Sequence, residues 1–171
     1  MRLNQLAGNK GDRVAVNGMN VETSTIVRGT PVVLRASATD AGLAVVLPST
    51  AGAAKTQALA FGVATDAFVT NTFQDLIAFG YCPYILMNRA TRAASTDSWT
   101  SSASVASFAI LSIDTINNAF AVLSVSAATN MSALPFAVLI DSIASFAASA
   151  SATSDSRTVM TSGPRAFIRM L

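Results

Sequence analysis

The side chains that could support catalysis are few and poorly placed for it. The chain has no histidine, which excludes Ser-His-Asp and Cys-His arrangements and every His-ligated metal site. Glu22 is the single glutamate, and neither Lys10 nor Lys55 lies in a Ser-x-x-Lys motif. Asp66 and Asp75 are the remaining candidate pair for acid–base chemistry, and their spacing does not favour it. We therefore expect no enzyme activity, no cofactor and no metal.

Two further features have structural interpretations. Gly8-Asn9-Lys10-Gly11 has the Gly-x-x-Gly spacing of the nucleic-acid clamp in KH domains, but its flanks lack the helical pattern of such a domain. A glycine turn explains it better. Cys82 is the only cysteine, so it cannot form an intrachain disulfide. Because it lies in an apolar run, we expect a small core residue.

The charge distribution favours assembly with other proteins. Charged residues make up 12% of the chain, about half the usual fraction of a soluble domain. The net charge is +2, and the arginines that dominate the cations are scattered rather than clustered into a phosphate-binding stripe. Arginine is enriched at protein interfaces. We therefore expect protein partners and no direct contact with nucleic acid.

The elements that must position these residues are predicted to be strands. Gly80 and Pro83 interrupt the apolar run from Phe73 to Met87, which favours two strands or one bent strand over a helix. Gly62 is predicted to mark a bulge or a close approach of two backbones. Residues 49–56 and 88–103 are predicted loops. The other predicted strands in the first half are Arg13–Val16, Val32–Arg35, Leu43–Leu47 and Ala58–Ala64.

The second half contains the clearest local signal. Apolar runs flank Asn117-Asn118, which predicts a hairpin because asparagine tolerates the left-handed conformation of a type I′ turn. The segment Phe136–Ile140 fits a strand, although helical spacing of its apolar residues leaves a helix open. Residues 147–163 are Ala/Ser/Thr-rich and are predicted to be a long loop.

The two ends of the chain are predicted to differ. Residues 1–12 have the composition of an extended arm with apolar anchors, which is either a frayed terminus or a segment that orders against a neighbour. Residues 165–171 alternate as a strand that is tied into a sheet, its own or a partner's. One face of this strand carries Arg165, Phe167, Arg169 and Leu171, and the other carries Ala166, Ile168 and Met170.

The fold class predicted from these patterns is all-β or mostly β. We expect an antiparallel β-sandwich or barrel, formed by a single domain over residues 13–171, with an extended N-terminal arm and long Ala/Ser/Thr-rich loops. No apolar run approaches the ~20 residues of a membrane helix, and the polar start of the chain does not resemble a signal peptide. We therefore expect no membrane contact and synthesis in a cytoplasm.

Several segments of the chain resemble those of bacteriophage capsid decoration proteins, also called head cement proteins. The resemblance covers about half the chain. The segments are Arg28-Gly29-Thr30-Pro31-Val32-Val33-Leu34, Ala60-Phe61-Gly62-Val63-Ala64, Phe79-Gly80-Tyr81-Cys82, Leu139-Ile140-Asp141-Ser142-Ile143-Ala144 and Arg165-Ala166-Phe167-Ile168-Arg169-Met170-Leu171.

The resemblance implies a structural protein on the exterior of the phage head, synthesised in the host bacterial cytoplasm. Its partners would be the major capsid protein and further copies of itself, as a dimer or trimer. The arm or the C-terminal strand would add onto a neighbouring sheet edge, and the single tryptophan, Trp99, would be an interface anchor. The expected capsid or subunit interface residues are Arg2, Leu3, Leu6, Trp99, Arg165, Phe167, Arg169 and Leu171.

Two alternatives share this composition. A phage tail or neck structural protein would form closed rings in solution. A virion-borne carbohydrate-binding or adhesin module would bind glycans in a manner that Trp99→Ala abolishes. Because aromatic residues make up only 7% of the chain, the basis for a sugar-stacking platform is thin.

Overall fold

A computed structural model describes residues 13–35, 43–93, 99–101, 106–115, 117–124, 134–141 and 164–170. In these ranges the chain forms strands with two short helices, α1 (Pro48–Ala51) and α2 (Ala53–Leu59), which confirms the predicted β class. The strands are β1 (Arg13–Asn20), β2 (Pro31–Leu34), β3 (Ala44–Val46), β4 (Ala60–Ala64), β5 (Phe73–Cys82), β6 (Met87–Ala93), β7 (Trp99–Ser101), β8 (Ile110–Asp114), β9 (Ala119–Ser124), β10 (Ala137–Leu139) and β11 (Ala166–Arg169).

The first five strands form a closed ring. They pair in the order β1-β3-β2-β4-β5, and β5 pairs back onto β1. Alternating strand residues point into the ring, where their apolar side chains exclude water. We call this interior the ring core; its buried residues are Ile26, Val32, Val45, Ala64, Phe68 and Leu76.

The remaining strands extend the sheet from the C-terminal end of β5. They follow in the order β5-β11-β10-β8-β9-β6-β7, and we call this part the long sheet. The pairs β1–β3 and β6–β9 are parallel, so the sheet is mixed rather than purely antiparallel. The long sheet covers a second apolar cluster, the sheet core, which includes Ile77, Cys82, Leu111, Phe120, Leu139 and Ile168.

β5 contains a bulge at Ala78, and the side chains before and after it differ in burial. Val14 of β1 pairs with Phe79 and Ala15 pairs with Ile77, which leaves Ala78 without a partner on β1. Residues two apart on a regular strand share a face, but an extra residue shifts that alternation. Ile77 is therefore buried in the sheet core, whereas Phe79 is 36% exposed.

Several local predictions are confirmed. The hairpin joins β8 to β9, and Asn118 has a φ of 51°, the left-handed conformation that its side chain tolerates. Residues 137–139 form a strand, not a helix. At Gly62 the register of β4 against β2 shifts, and a Cβ there would lie 2.8 Å from the Leu76 Cβ, so a close approach does require glycine.

Two predicted loops are wrong. Residues 49–56 form most of α1 and α2: Pro48 begins α1, and the Thr56 hydroxyl donates to the carbonyls of Gly52 and Pro48. The alanines of this segment favour helix. Within residues 88–103, β6 continues to Ala93 by pairing in parallel with β9, and β7 pairs with β6. The predicted arm (1–12) and the loop 147–163 lie outside the described residues.

Candidate protein-binding face

The C-terminal strand lies inside the sheet. β11 pairs with β5 along one edge and with β10 along the other, which confirms a strand over Ala166–Arg169. Its backbone groups are used on both sides, and the Arg169 N–H donates to the Phe136 carbonyl at 2.8 Å. The hypothesis that this strand adds onto a neighbour's sheet edge is therefore wrong for these residues, because edge addition needs unpaired backbone groups.

The alternation predicted for this strand is confirmed. Ala166 and Ile168 have no exposed surface and Met170 is 5% exposed, so these three side chains point into the sheet core. Arg165, Phe167 and Arg169 point outward and are exposed. The strand therefore exposes its outward side chains rather than an unpaired edge.

Neighbouring strands extend this outward surface. Phe167 lies in register with Tyr81 of β5 and with Val138 of β10, and Val138 lies in register with Ile110 of β8. Paired residues of antiparallel strands have side chains on the same face. Phe79 packs on Phe167 edge to face, with ring centroids 5.2 Å apart and an interplanar angle of 82°. We call this surface the β11 face; its residues are Phe79, Tyr81, Ile110, Val138, Arg165, Phe167 and Arg169.

An ion pair between Arg165 and Asp141 lies at one end of the β11 face. The backbone N–H, Nε and Nη2 of Arg165 all donate to the Asp141 carboxylate, at 2.8 Å, 2.9 Å and 2.5 Å. The Arg165 hydrogen bonds hold the pKa of the Asp141 carboxyl below its usual value, and Asp141, with a smaller contribution from Tyr81, raises the pKa of Arg165. This pair links the residues that follow β10 to the residue that precedes β11.

Arg169, unlike Arg165, has no carboxylate partner among the described residues. It lies in register with Phe79 on β5, two residues beyond Phe167 on the same face of β11. Among the described acidic residues, none forms an ion pair with it. The β11 face therefore has one arginine neutralised by a carboxylate and one whose charge the described residues leave uncompensated.

The other expected interface residues are not part of this face. Trp99 lies in β7, paired with Arg92 of β6, and four strands separate β7 from β11 in the sheet order. Arg2, Leu3, Leu6 and Leu171 lie outside the described residues. The structure thus brings together Arg165, Phe167 and Arg169 and does not place Trp99 on a neighbouring strand.

Sequence reasoning missed the residues that β5 and β8 contribute. Phe79 lies in the apolar run that was predicted to form two strands or one bent strand, and only the bulge at Ala78 turns it outward. Phe108 was missed as well: it is 76% exposed and has a φ of 65°, which is unusual for a bulky side chain. Its N–H donates to the Leu139 carbonyl at 2.7 Å, so its backbone lies beside the end of β10.

The cysteine and the two aspartates that the sequence singled out each make hydrogen bonds that stabilise the fold. Burial raises the pKa of the Cys82 thiol, which donates to the Tyr84 carbonyl at 3.1 Å, so the prediction of a core cysteine is confirmed. The Asp75 carboxylate accepts a hydrogen bond from the Asn17 amide, and the Asp66 carboxylate accepts one from the Ala67 N–H. The described ranges hold no group of three or more His, Cys, Asp or Glu residues suited to a metal.

No helix of the described part is long and apolar enough to cross a bilayer. Comparison with known proteins identifies no relative: no family model, no curated protein and no solved structure matches the chain.

Proposed function

We propose that this chain is a structural protein of a bacteriophage virion, which binds the outer surface of the head and stabilises the capsid lattice. The observation that carries the proposal is the β11 face. It presents an edge-to-face phenylalanine pair at 36% and 38% exposure, beside arginine side chains. Adjacent exposed aromatic and arginine residues are typical of protein interfaces.

The sheet makes this face a rigid binding surface. Phe167 and Arg169 lie on a strand whose two edges are hydrogen-bonded to β5 and β10. Because their backbone is already ordered, binding loses less conformational entropy than the ordering of a free segment would. Repetition of the same contact around the symmetry axes of a shell multiplies its strength through effective concentration.

The sequence motifs support the same function. Two segments that carry the resemblance to decoration proteins, Phe79–Cys82 and Arg165–Leu171, are far apart in the chain. In the fold they are adjacent, with Phe79 in register with Arg169 and Tyr81 in register with Phe167. The low fraction of charged residues suits a surface that is covered in an assembly.

The proposal is tested by co-sedimentation of the purified chain with expanded, undecorated heads of its phage. We expect saturation at a fixed ratio to capsid subunits that is compatible with the symmetry of the shell, and heads that resist heating better than bare ones. Absence of binding would contradict the proposal. Rings in solution, or attachment to tails, would instead indicate a tail or neck protein.

A further inference from the structure

We infer that the β11 face recognises a segment of the capsid protein in which an apolar side chain lies next to a carboxylate. This inference rests on the proposed function and adds the chemistry of the partner. The apolar side chain would contact the Phe79–Phe167 pair, and the carboxylate would bind the guanidinium of Arg169.

The requirement for an apolar group follows from the surface around Phe167. The row Tyr81, Phe167 and Val138 continues to Ile110, which is 38% exposed. Removal of this row from water stabilises a complex most when the partner covers it with apolar atoms, which lose no hydration of their own. A polar partner surface would lose its own hydration without compensation.

The requirement for a carboxylate follows from the different states of the two arginines. Arg165 is satisfied within the chain, because three of its N–H groups donate to Asp141. Arg169 has no acidic partner among the described residues. Since Arg169 lies opposite Phe79, a partner that covers the phenylalanines also covers the guanidinium. A buried guanidinium needs an anionic acceptor, and a carboxylate matches its planar fork.

Two other occupants fit less well. In the described part of the face of a second copy, the carboxylate is that of Asp141, which Arg165 already occupies. A nucleic acid would need several cations along its backbone and flat aromatic platforms. Within the described residues, the face offers one guanidinium without an acidic partner, and its two phenylalanine rings are nearly perpendicular at 82°.

Zero-length cross-linking tests the inference directly. The R169K variant places an amine at this position, and a carbodiimide joins an amine to a contacting carboxylate without a spacer. The background is low because the parent chain has only Lys10 and Lys55. R35K is the matched control: it makes the same substitution at an exposed arginine that directly follows β2. Both variants are bound to expanded heads, treated with the reagent and analysed by mass spectrometry.

We expect an amide link between position 169 and an aspartate or glutamate of the capsid protein, and no such link from position 35. R169E should weaken head binding by about tenfold or more, whereas K55E, an equal charge change on α2, should weaken it less than about twofold. Circular dichroism spectra that match the parent's would show that the variants are folded.

The inference and the proposed function fail in different ways. If the parent binds heads but R169E binds equally well, or if position 169 links only to a second copy, the inference is wrong and the proposed function stands. If the parent itself does not bind heads, the proposed function is wrong and the inference falls with it.

Discussion

The two ends of β5 carry similar residues in different surroundings. Phe73, in the closed ring, is 58% exposed and lies in register with half-buried Met19 of β1. Phe79, in the long sheet, is less exposed at 36%, yet it packs edge to face on Phe167 and is continuous with outward side chains of β10 and β8. Single exposed apolar residues are normal on protein surfaces. The adjacency of several residues therefore identifies a candidate interface better than the exposure of one.

The ring and the long sheet also share structural support. Leu76 points into the ring core and Ile77, the next residue on β5, belongs to the sheet core. A second connection is made by Gly29, which donates its N–H to the Ala64 carbonyl and accepts from the Leu86 N–H, both at 2.8 Å. We expect the two regions to unfold together.

The connection at Gly29 should be the most sensitive position. Gly29 has a φ of 81°, and an added Cβ would lie 2.5 Å from the Tyr84 ring and 2.6 Å from the Leu86 nitrogen. Strain and overlap together should lower the free energy of unfolding of Gly29→Ala by about 3–5 kcal/mol, measured by urea denaturation.

Gly52→Ala is the matched control for this substitution. Gly52 has nearly the same φ, 79°, but nothing lies within 4 Å of an added Cβ. Only the conformational penalty of this backbone geometry (φ 79°, ψ 160°) remains, which is about 1–3 kcal/mol. If the two variants lost the same free energy of unfolding, the close packing of Gly29 against Tyr84 and Leu86 would not be what makes this position sensitive.

Truncation in either core should destabilise the whole molecule. Leu76 of the ring core and Ile168 of the sheet core both have no exposed surface. Leu76→Ala and Ile168→Ala should each lower the free energy of unfolding by about 2–5 kcal/mol. Tryptophan fluorescence and circular dichroism should give coincident transitions in both variants. Two separate transitions would show that the ring and the long sheet fold independently.

The two exposed phenylalanines should differ in binding. Phe167→Ala removes the central ring from the β11 face and should weaken binding to expanded heads by about tenfold or more, which corresponds to roughly 1.4 kcal/mol or more. Phe73→Ala removes an equally large side chain from the ring and should leave binding within about twofold. If Phe73→Ala weakens head binding more than Phe167→Ala does, the β11 face is not the main contact with the head.

The ion pair at the end of the face should give the smallest effect, visible as a pH dependence. Arg165 lowers the pKa of Asp141 in the folded chain, so the pair stabilises the fold above the unfolded pKa of about 4. This stabilisation is lost as the pH falls through the lowered folded pKa. The parent should therefore be slightly more stable than D141N at neutral pH, and the difference in melting temperature should vanish in acid.

D75N controls for the loss of an exposed carboxylate elsewhere, since Asp75 accepts a hydrogen bond from Asn17 rather than from an arginine. A difference between parent and D141N that persisted unchanged in strong acid would contradict the assigned role of the Arg165–Asp141 pair.

Part of this structure could be predicted from the sequence because the relevant signals are local. The alternation of residues 165–170 and the Asn117-Asn118 hairpin depend on residues close together in the chain, and both are confirmed. The bulge at Ala78 depends on the register between β5 and β1, and β6 depends on parallel pairing with β9. No local pattern encodes such pairings, so the outward position of Phe79 was not predicted.

The candidate site was partly predicted for the same reason. Alternation placed Arg165, Phe167 and Arg169 on one face, but it could not show that both edges of β11 are paired. It also could not distinguish the two arginines, because Asp141 lies 24 residues before Arg165.

A reconstruction of expanded heads saturated with this chain, by electron cryomicroscopy, tests the central claim most directly. We predict that the β11 face lies against the capsid protein, with Phe167 and Arg169 covered and Phe73 facing away from the shell. Bound density in which the Phe73 end contacts the shell and the β11 face is exposed to solvent would contradict the account.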